Sequence, residues 1–394
     1  MTSRRKASGF IVGSAILALA VLTIGGGPQP NFGDPLQGLS PDLLARFDAG
    51  KVVFEQNFTP PQGLGPVFNN TSCAQCHDQG GIGGGSDTLE TRYGQVIDGV
   101  FNSLTQFDGQ LLHSKGIGLF NGVDFVGETV PPEANVVAQR RTNPLFGLGL
   151  VDAVPDETLQ NLAQFQQVFT PETAGQALVL TDIFSGQPRV GRFGWKSQIG
   201  SVLTFTGNAF LNEMGITTPN FPHENPPGGD SALLAANPAL TNPNDTTATV
   251  MTIADHTTFL APPPQLAQTP NSSAGEVLFA AIGCANCHVP AMLTGPNAVA
   301  ALDNVLFFPY SDFLLHDMGA LGDGIVQSGA QGNEMRTAPL WGARVRTSFL
   351  HDGRAKTVQD AILAHQGRGL TASKYFLALP AKAQAQILDF INTL

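Results

Sequence analysis

Cys73-Ala74-Gln75-Cys76-His77 and Cys284-Ala285-Asn286-Cys287-His288 decide how this chain is read. The sequence has 4 cysteines and all of them fall inside these two C-x-x-C-H motifs, so none is left for a disulfide elsewhere. In such a motif each thiol can form a thioether to a haem vinyl group, while the adjacent histidine meets the iron on its proximal face. A C-x-x-C pair also serves as half a zinc site, a thioredoxin-type redox pair or a short disulfide. Two copies, both followed by histidine, favour two covalently bound haem c groups, one held by Cys73, Cys76 and His77, the other by Cys284, Cys287 and His288.

An internal repeat sets the expected architecture. Ala49-Gly50-Lys51-Val52-Val53-Phe54 precedes the first motif and Ala274-Gly275-Glu276-Val277-Leu278-Phe279 the second, which predicts two related units. In the second unit the helix runs straight to Gly283 and the motif; the first inserts residues 57–71, rich in Pro and Gly, as a loop closing over the haem. Ile387, Phe390, Ile391 and Leu394 fall at helical spacing, so a last helix can lay an apolar stripe on the second unit's first helix. From Gly94 to Val137, short apolar runs alternate with Gly and Asn-Gly, which predicts a small β-hairpin excursion. From Pro219 to Asp245 the chain is dense in Pro, Asn and Gly and reads as an irregular connector. The expected fold is mainly α: a first cytochrome c-like domain over 35–218 carrying the β-hairpin excursion, a connector over 219–268, and a second cytochrome c-like domain over 269–394.

With 394 residues, 42% hydrophobic and 13% charged, the chain can bury two cores and is not a disordered protein. A net charge of -11 and a pI near 5.1 disfavour a nucleic-acid partner and suit a small soluble redox donor protein. Ser3-Arg4-Arg5-Lys6, the apolar run from Phe10 to Ile24 and Gly25-Gly26-Gly27 make 1–27 a signal peptide. An uncleaved anchor is the alternative, because the break is not of the Ala-x-Ala type. Either way the body is expected to be periplasmic or otherwise exported, touching a membrane only if the segment is retained.

Four further strings carry a family resemblance: Gly63-Leu64-Gly65-Pro66-Val67-Phe68-Asn69, Gly147-Leu148-Gly149-Leu150, Tyr310-Ser311-Asp312 and His351-Asp352-Gly353-Arg354. With the two haem motifs they resemble the bacterial di-haem oxidoreductase family, peroxidase-like proteins also labelled thiol oxidoreductase-like, from about Phe47 to the C-terminus. The chain is more distantly similar to the di-haem cytochrome c peroxidases and to relatives that oxidise protein side chains. The thiol label fits poorly, since all four sulfurs are expected to be tied to haem.

The resemblance implies roles. In the di-haem peroxidases an HDG string is followed by a helix bearing the second axial ligand of the electron-accepting haem; the matching residue here is His365, which gives a bis-His iron with His288. His316, His351 and Met318 are rivals, and His365 read plainly is a helix-terminal cation. A tryptophan between the haems and a glutamate over the open haem correspond to Trp195 and Glu213, the first as electron relay, the second as the acid–base group that peroxide cleavage needs. The plain alternative is a packed core indole and a surface acid. Arg140, Arg141, Arg336, Arg344 and Arg346 are candidate partners for haem propionates. His113, His223 and His256 could each cap the first iron. Calcium between the domains is implied by the resemblance alone. The resulting expectation is peroxide reduction at the first haem, held by His77, with electrons entering at the second. The alternatives are a non-catalytic electron carrier, or oxidation of a partner protein's side chains.

Overall fold

The computed structural model describes residues 29–107, 109–235 and 244–394; the segment read as an export signal lies outside them. Among the described residues no helix is long and apolar enough to cross a membrane.

The repeated string explains how the helices pair. Helix α1 (Pro41–Glu55) starts at Ser40, whose side chain accepts from the Leu43 amide. It is followed along the chain by α2 (Leu148–Asp152), α3 (Asp156–Phe169), α4 (Val202–Met214), α5 (Ser231–Ala235), α6 (Ala248–Phe259), α7 (Pro270–Ala281), α8 (Val358–Leu363), α9 (Leu370–Ala378) and α10 (Ala381–Ile391). Helix α1 packs on α6 and α7 packs on α10. In each crossing the repeat's glycine is the contact: a Cβ at Gly50 would overlap the Thr252 carbonyl of α6, and one at Gly275 the Gln386 carbonyl of α10. The repeat's phenylalanines are buried beside the motif histidines, Phe54 at 6.1 Å from His77 and Phe279 at 6.3 Å from His288, ring centre to ring centre. The partner helices also match. His256 of α6 lies 5.2 Å from Phe54, where Phe390 of α10 lies 5.4 Å from Phe279. Helix α6 therefore does for the first motif what α10 does for the second. It falls within the stretch 219–268 expected to be a connector. The Pro/Asn/Gly signal that suggested a connector ends at Asp245, and 248–259 has none of those residues.

Two apolar cores result. The smaller gathers Phe279, Phe376, Ile387, Phe390, Ile391 and Leu394, which is the expected C-terminal stripe on α7. The larger is built from α1, α4 and α6, and takes in Met292, Phe307, Phe313, Leu314 and Trp341 from beyond the second motif.

Helix makes up 35% and strand 16%, so β structure exceeds one hairpin. After β1 (Val67–Phe68) come β2 (Leu89–Ile97), β3 (Val100–Asn102), β4 (Lys115–Gly116), β5 (Gly118–Phe120), β6 (Val123–Phe125) and β7 (Val136–Arg141). Strands β3, β2 and β7 form an antiparallel sheet in that order, with Thr91 opposite Gln139, and β1 pairs β4. The hairpins β2–β3 and β5–β6 turn on Asp98-Gly99 and Asn121-Gly122, all four with positive φ, the geometry of tight two-residue hairpins. Short pairs elsewhere, down to two or three residues, leave no alternation for sequence to show.

The sheet is tied to the C-terminal half through buried charge. Asp323 meets Arg140 Nε of β7 at 2.7 Å and Lys196 Nζ at 2.9 Å, with all three side chains at most 1% exposed. Burial opposes ionisation of Asp323, but the two cations outweigh it and hold its pKa below the usual range. Asp323→Asn leaves two buried cations uncompensated and is expected to cost about 3–5 kcal/mol in urea unfolding of the holoprotein. Because the folded-state pKa is depressed, this stabilisation is complete above the ordinary carboxylate range and fades as pH falls through Asp323's own value.

Candidate active site

Each C-x-x-C-H motif borders a cavity. The first, of about 210 Å³, is lined by Cys73, Cys76 and His77. His77 Nδ1 lies 3.0 Å from the Gly84 carbonyl and so carries the proton, leaving the Nε2 lone pair for a metal. Burial pushes His77 down to about 4, which keeps it in the neutral form that a metal ligand needs. No disulfide joins the four cysteines, and burial pushes Cys73 and Cys284 up to about 12, away from the low-pKa thiolates of redox pairs.

Glu213 also lines the first cavity. It sits in the last turn of α4, whose end is held by the Gly63–Asn69 string. The amides of Asn69 and Asn70 donate to the Glu213 carbonyl at 2.8 and 3.2 Å, the Gly65 amide to Met214, and Asn69 Nδ2 to Glu213 Oε2 at 3.0 Å. That string thus aims the carboxylate. Burial, and then the nearby charge of Glu90, push the Glu213 pKa up. Among the described residues, the one imidazole lining this cavity is that of His77. His113 is engaged by Glu128 and Asn225, His256 is packed between Phe47 and Phe54, and His223 is exposed. None of the three lines the first cavity.

The second cavity, of about 190 Å³, is lined by Cys284, Cys287 and His288, and also by His365, His316 and His351. His288 Nδ1 lies 3.0 Å from the carbonyl of Tyr310, in the Tyr-Ser-Asp string, and His365 Nδ1 2.7 Å from that of Ala361. Both rings therefore offer Nε2, and their centres are 6.5 Å apart. Two metal–imidazole bonds of about 2 Å plus the ring radii span such a gap. His316 is otherwise occupied, with Nε2 2.8 Å from Asp312 and Nδ1 2.9 Å from the Thr173 carbonyl. Burial opposes its charge, yet Asp312 raises its pKa well above the ordinary value. Cys287, Asp312 and His316 are also close enough to hold a metal between them, which a thioether at Cys287 would preclude. His351 lies edge-on to Trp195 at 6.3 Å, and Met318 also borders the cavity.

Trp195 and Arg141 line both cavities and form the wall between them. Trp195 Nε1 donates to the Arg141 carbonyl at 2.9 Å, and the Arg141 amide to the His351 carbonyl at 2.6 Å. Arg336 and Arg346, on the second cavity, hydrogen-bond backbone carbonyls. Burial, and then Arg141 and Arg336, push Arg346 down to about 9, and the Nε of both Arg141 and Arg346 is buried without a partner. Buried guanidiniums with unused donors call for an anion, and the propionates of haem supply one. Arg140 is spent on Asp323, and Arg344 on the Leu394 and Pro264 carbonyls. The residues present fit two haems. Sequence reading missed Glu90 and Arg92, which line the first cavity on one face of β2; an acidic and a basic residue two apart in a strand were the available signal.

The chain aligns with hydrazine synthase of Kuenenia stuttgartiensis at 12% identity and a TM-score of 0.43, over 100% of each chain. For the diheme peroxidase BthA from Burkholderia thailandensis the values are 13% and 0.39, over 90% of this chain and 86% of that one. For a MauG-like protein associated with microbial copper homeostasis they are 14% and 0.40, over 94% of each. No curated protein matches. The family described as "Di-haem oxidoreductase, putative peroxidase" matches residues 20–92 and 131–394, passing over the hairpins β2–β3 and β5–β6 from Tyr93 onward. The chain therefore belongs to the di-haem oxidoreductase family, a family of peroxidase-like enzymes.

Proposed function

We propose that this protein is an exported c-type oxidoreductase that reduces peroxide in the first cavity, with electrons entering at the second. The observation that carries this reading is the difference between the cavities. The first offers one imidazole and an acid–base group, Glu213; the second offers two imidazoles 6.5 Å apart, those of His288 and His365. One site is thus open to a small oxidant and the other closed by its own ligands. The cysteines of each motif hold a haem by thioether bonds, and the division into two cytochrome c-like units goes with this reading.

Two bound haems supply stored electrons and an iron to which peroxide can bind. The protein's part is proton handling and placement. Reduction of peroxide to two waters takes up two electrons and two protons, and Glu213 is placed to take a proton with one carboxyl oxygen and give one with the other. Asn69 fixes its orientation. Trp195, anchored through Nε1, sets an indole in the partition between donor and acceptor sites. The acidic surface suits a small basic redox donor protein.

Intact mass of the denatured exported protein is expected to exceed the mature polypeptide by two haem units, and the holoprotein to consume peroxide at steady state with a reduced donor. A protein with both haems that consumes none after reduction of the second site is an electron carrier, and the peroxide reading falls.

A further inference from the structure

Glu213 shares its cavity with a second carboxylate. Glu90 and Arg92 project from the same face of β2, and both line the first cavity. Arg92 closes on Glu90 as a fork, Nε at 2.9 Å from one carboxylate oxygen and Nη2 at 3.3 Å from the other. Glu213 receives instead the neutral amide of Asn69. Resting on the peroxide reading, we propose that Glu90, pinned by Arg92, is a positioning residue of the proton-handling site: the two acids share one proton, and Glu213 is its resting holder.

The other charged groups around Glu213 are committed elsewhere. On β7, Arg140 is paired with Asp323. His113 Nδ1 is 2.9 Å from Glu128. Lys115 of β4 reaches Asn70 at 3.0 Å. Arg92 faces both acids but directs its fork at Glu90. Two carboxylates on one cavity cannot both ionise cheaply, and the one with the guanidinium ionises first. The shifts agree in direction. At Glu90 burial opposes ionisation but Arg92 outweighs it and the pKa falls; at Glu213 burial and Glu90 act together and it rises. A protonated Glu213 gives a proton to one peroxide oxygen from one carboxyl oxygen while its other takes the proton of the second, and so never carries a full charge beside Glu90. The two protons consumed per two waters come from solvent.

Infrared difference spectra between wild type and Glu213→Gln, recorded across pH on protein with both haems loaded, isolate the carboxylic C=O band of Glu213. The band is expected to persist above the ordinary carboxylate range. Glu90→Gln should move its midpoint down by about one pH unit or more, the usual effect of removing a neighbouring like charge. Glu90→Asp, which keeps the charge, should leave the midpoint near that of wild type and rescue the profile. A midpoint unmoved in Glu90→Gln, or no such band above the ordinary range in wild type, overturns the proposal. Peroxide consumption is measured separately: a midpoint that shifts in an inactive protein keeps the shared proton and removes the peroxide reading, and an active protein with an unmoved midpoint does the reverse.

Discussion

Glu213→Gln is expected to lower peroxide turnover by about a hundredfold or more, the range for loss of a positioned acid–base group. The substitution is nearly isosteric, and the amide oxygen can still accept from Asn69 Nδ2 as Glu213 Oε2 does now. The backbone clamp on the end of α4 by Asn69 and Asn70 does not involve the side chain. Haem content and the absorption spectrum should therefore be unchanged, and the loss should appear in kcat. Trp195→Phe is the companion measurement. It removes the Nε1 donor to Arg141 and the indole from the wall, and should slow electron delivery without touching the proton path. Equal activity in wild type and Glu213→Gln would remove this residue from the mechanism while leaving the enzyme intact.

His365→Ala is expected to convert the second site from a low-spin, bis-imidazole spectrum to a high-spin or exchangeable one, with both haems retained. On the proposed attachment, retention follows because Cys284, Cys287 and His288 are untouched. Of the three imidazoles across that cavity, His365 alone has its ring 6.5 Å from that of His288 with Nε2 uncommitted. His316 already uses both nitrogens. An unchanged spectrum would move the assignment to His351. Visible absorption and electron paramagnetic resonance of the ferric protein distinguish these results.

Much of the site was legible because its chemistry demands particular residues in adjacent positions. The two C-x-x-C-H strings locate both cavities, and the Ala-Gly-x-x-x-Phe repeat marks a helix crossing and a phenylalanine beside each motif histidine. What that repeat could not show was the helix on the other side of the first crossing. Helix α6 shares no string with α10. At the equivalent place one presents His256 and the other Phe390, and packing accepts either ring provided the facing residue is glycine. His256 of α6, named with His113 and His223 only as a histidine that could cap the first iron, is placed by the fold between Phe47 and Phe54. Glu90 and Arg92 stayed hidden because their meaning depends on lining the same cavity as Glu213, a residue more than a hundred positions away in the chain. The buried Asp323 cluster is of the same kind: three ordinary charges in sequence, joined only by the tertiary fold.

The larger core has a consequence for the history and engineering of this chain. A duplicated gene suggests that each copy could be expressed alone as a one-haem protein. Here the larger core spans both halves. A gene divided after residue 218 encodes a first half without α6, so that Phe47 and Phe54 are stripped of the ring they pack on. Moving the cut to follow α6 restores that helix but still leaves the first half's core open where Met292, Phe307, Leu314 and Trp341 belong, and turns those four residues of the second half outward. Neither fragment is therefore expected to fold by itself, because each cut exposes apolar surface that the other half covers.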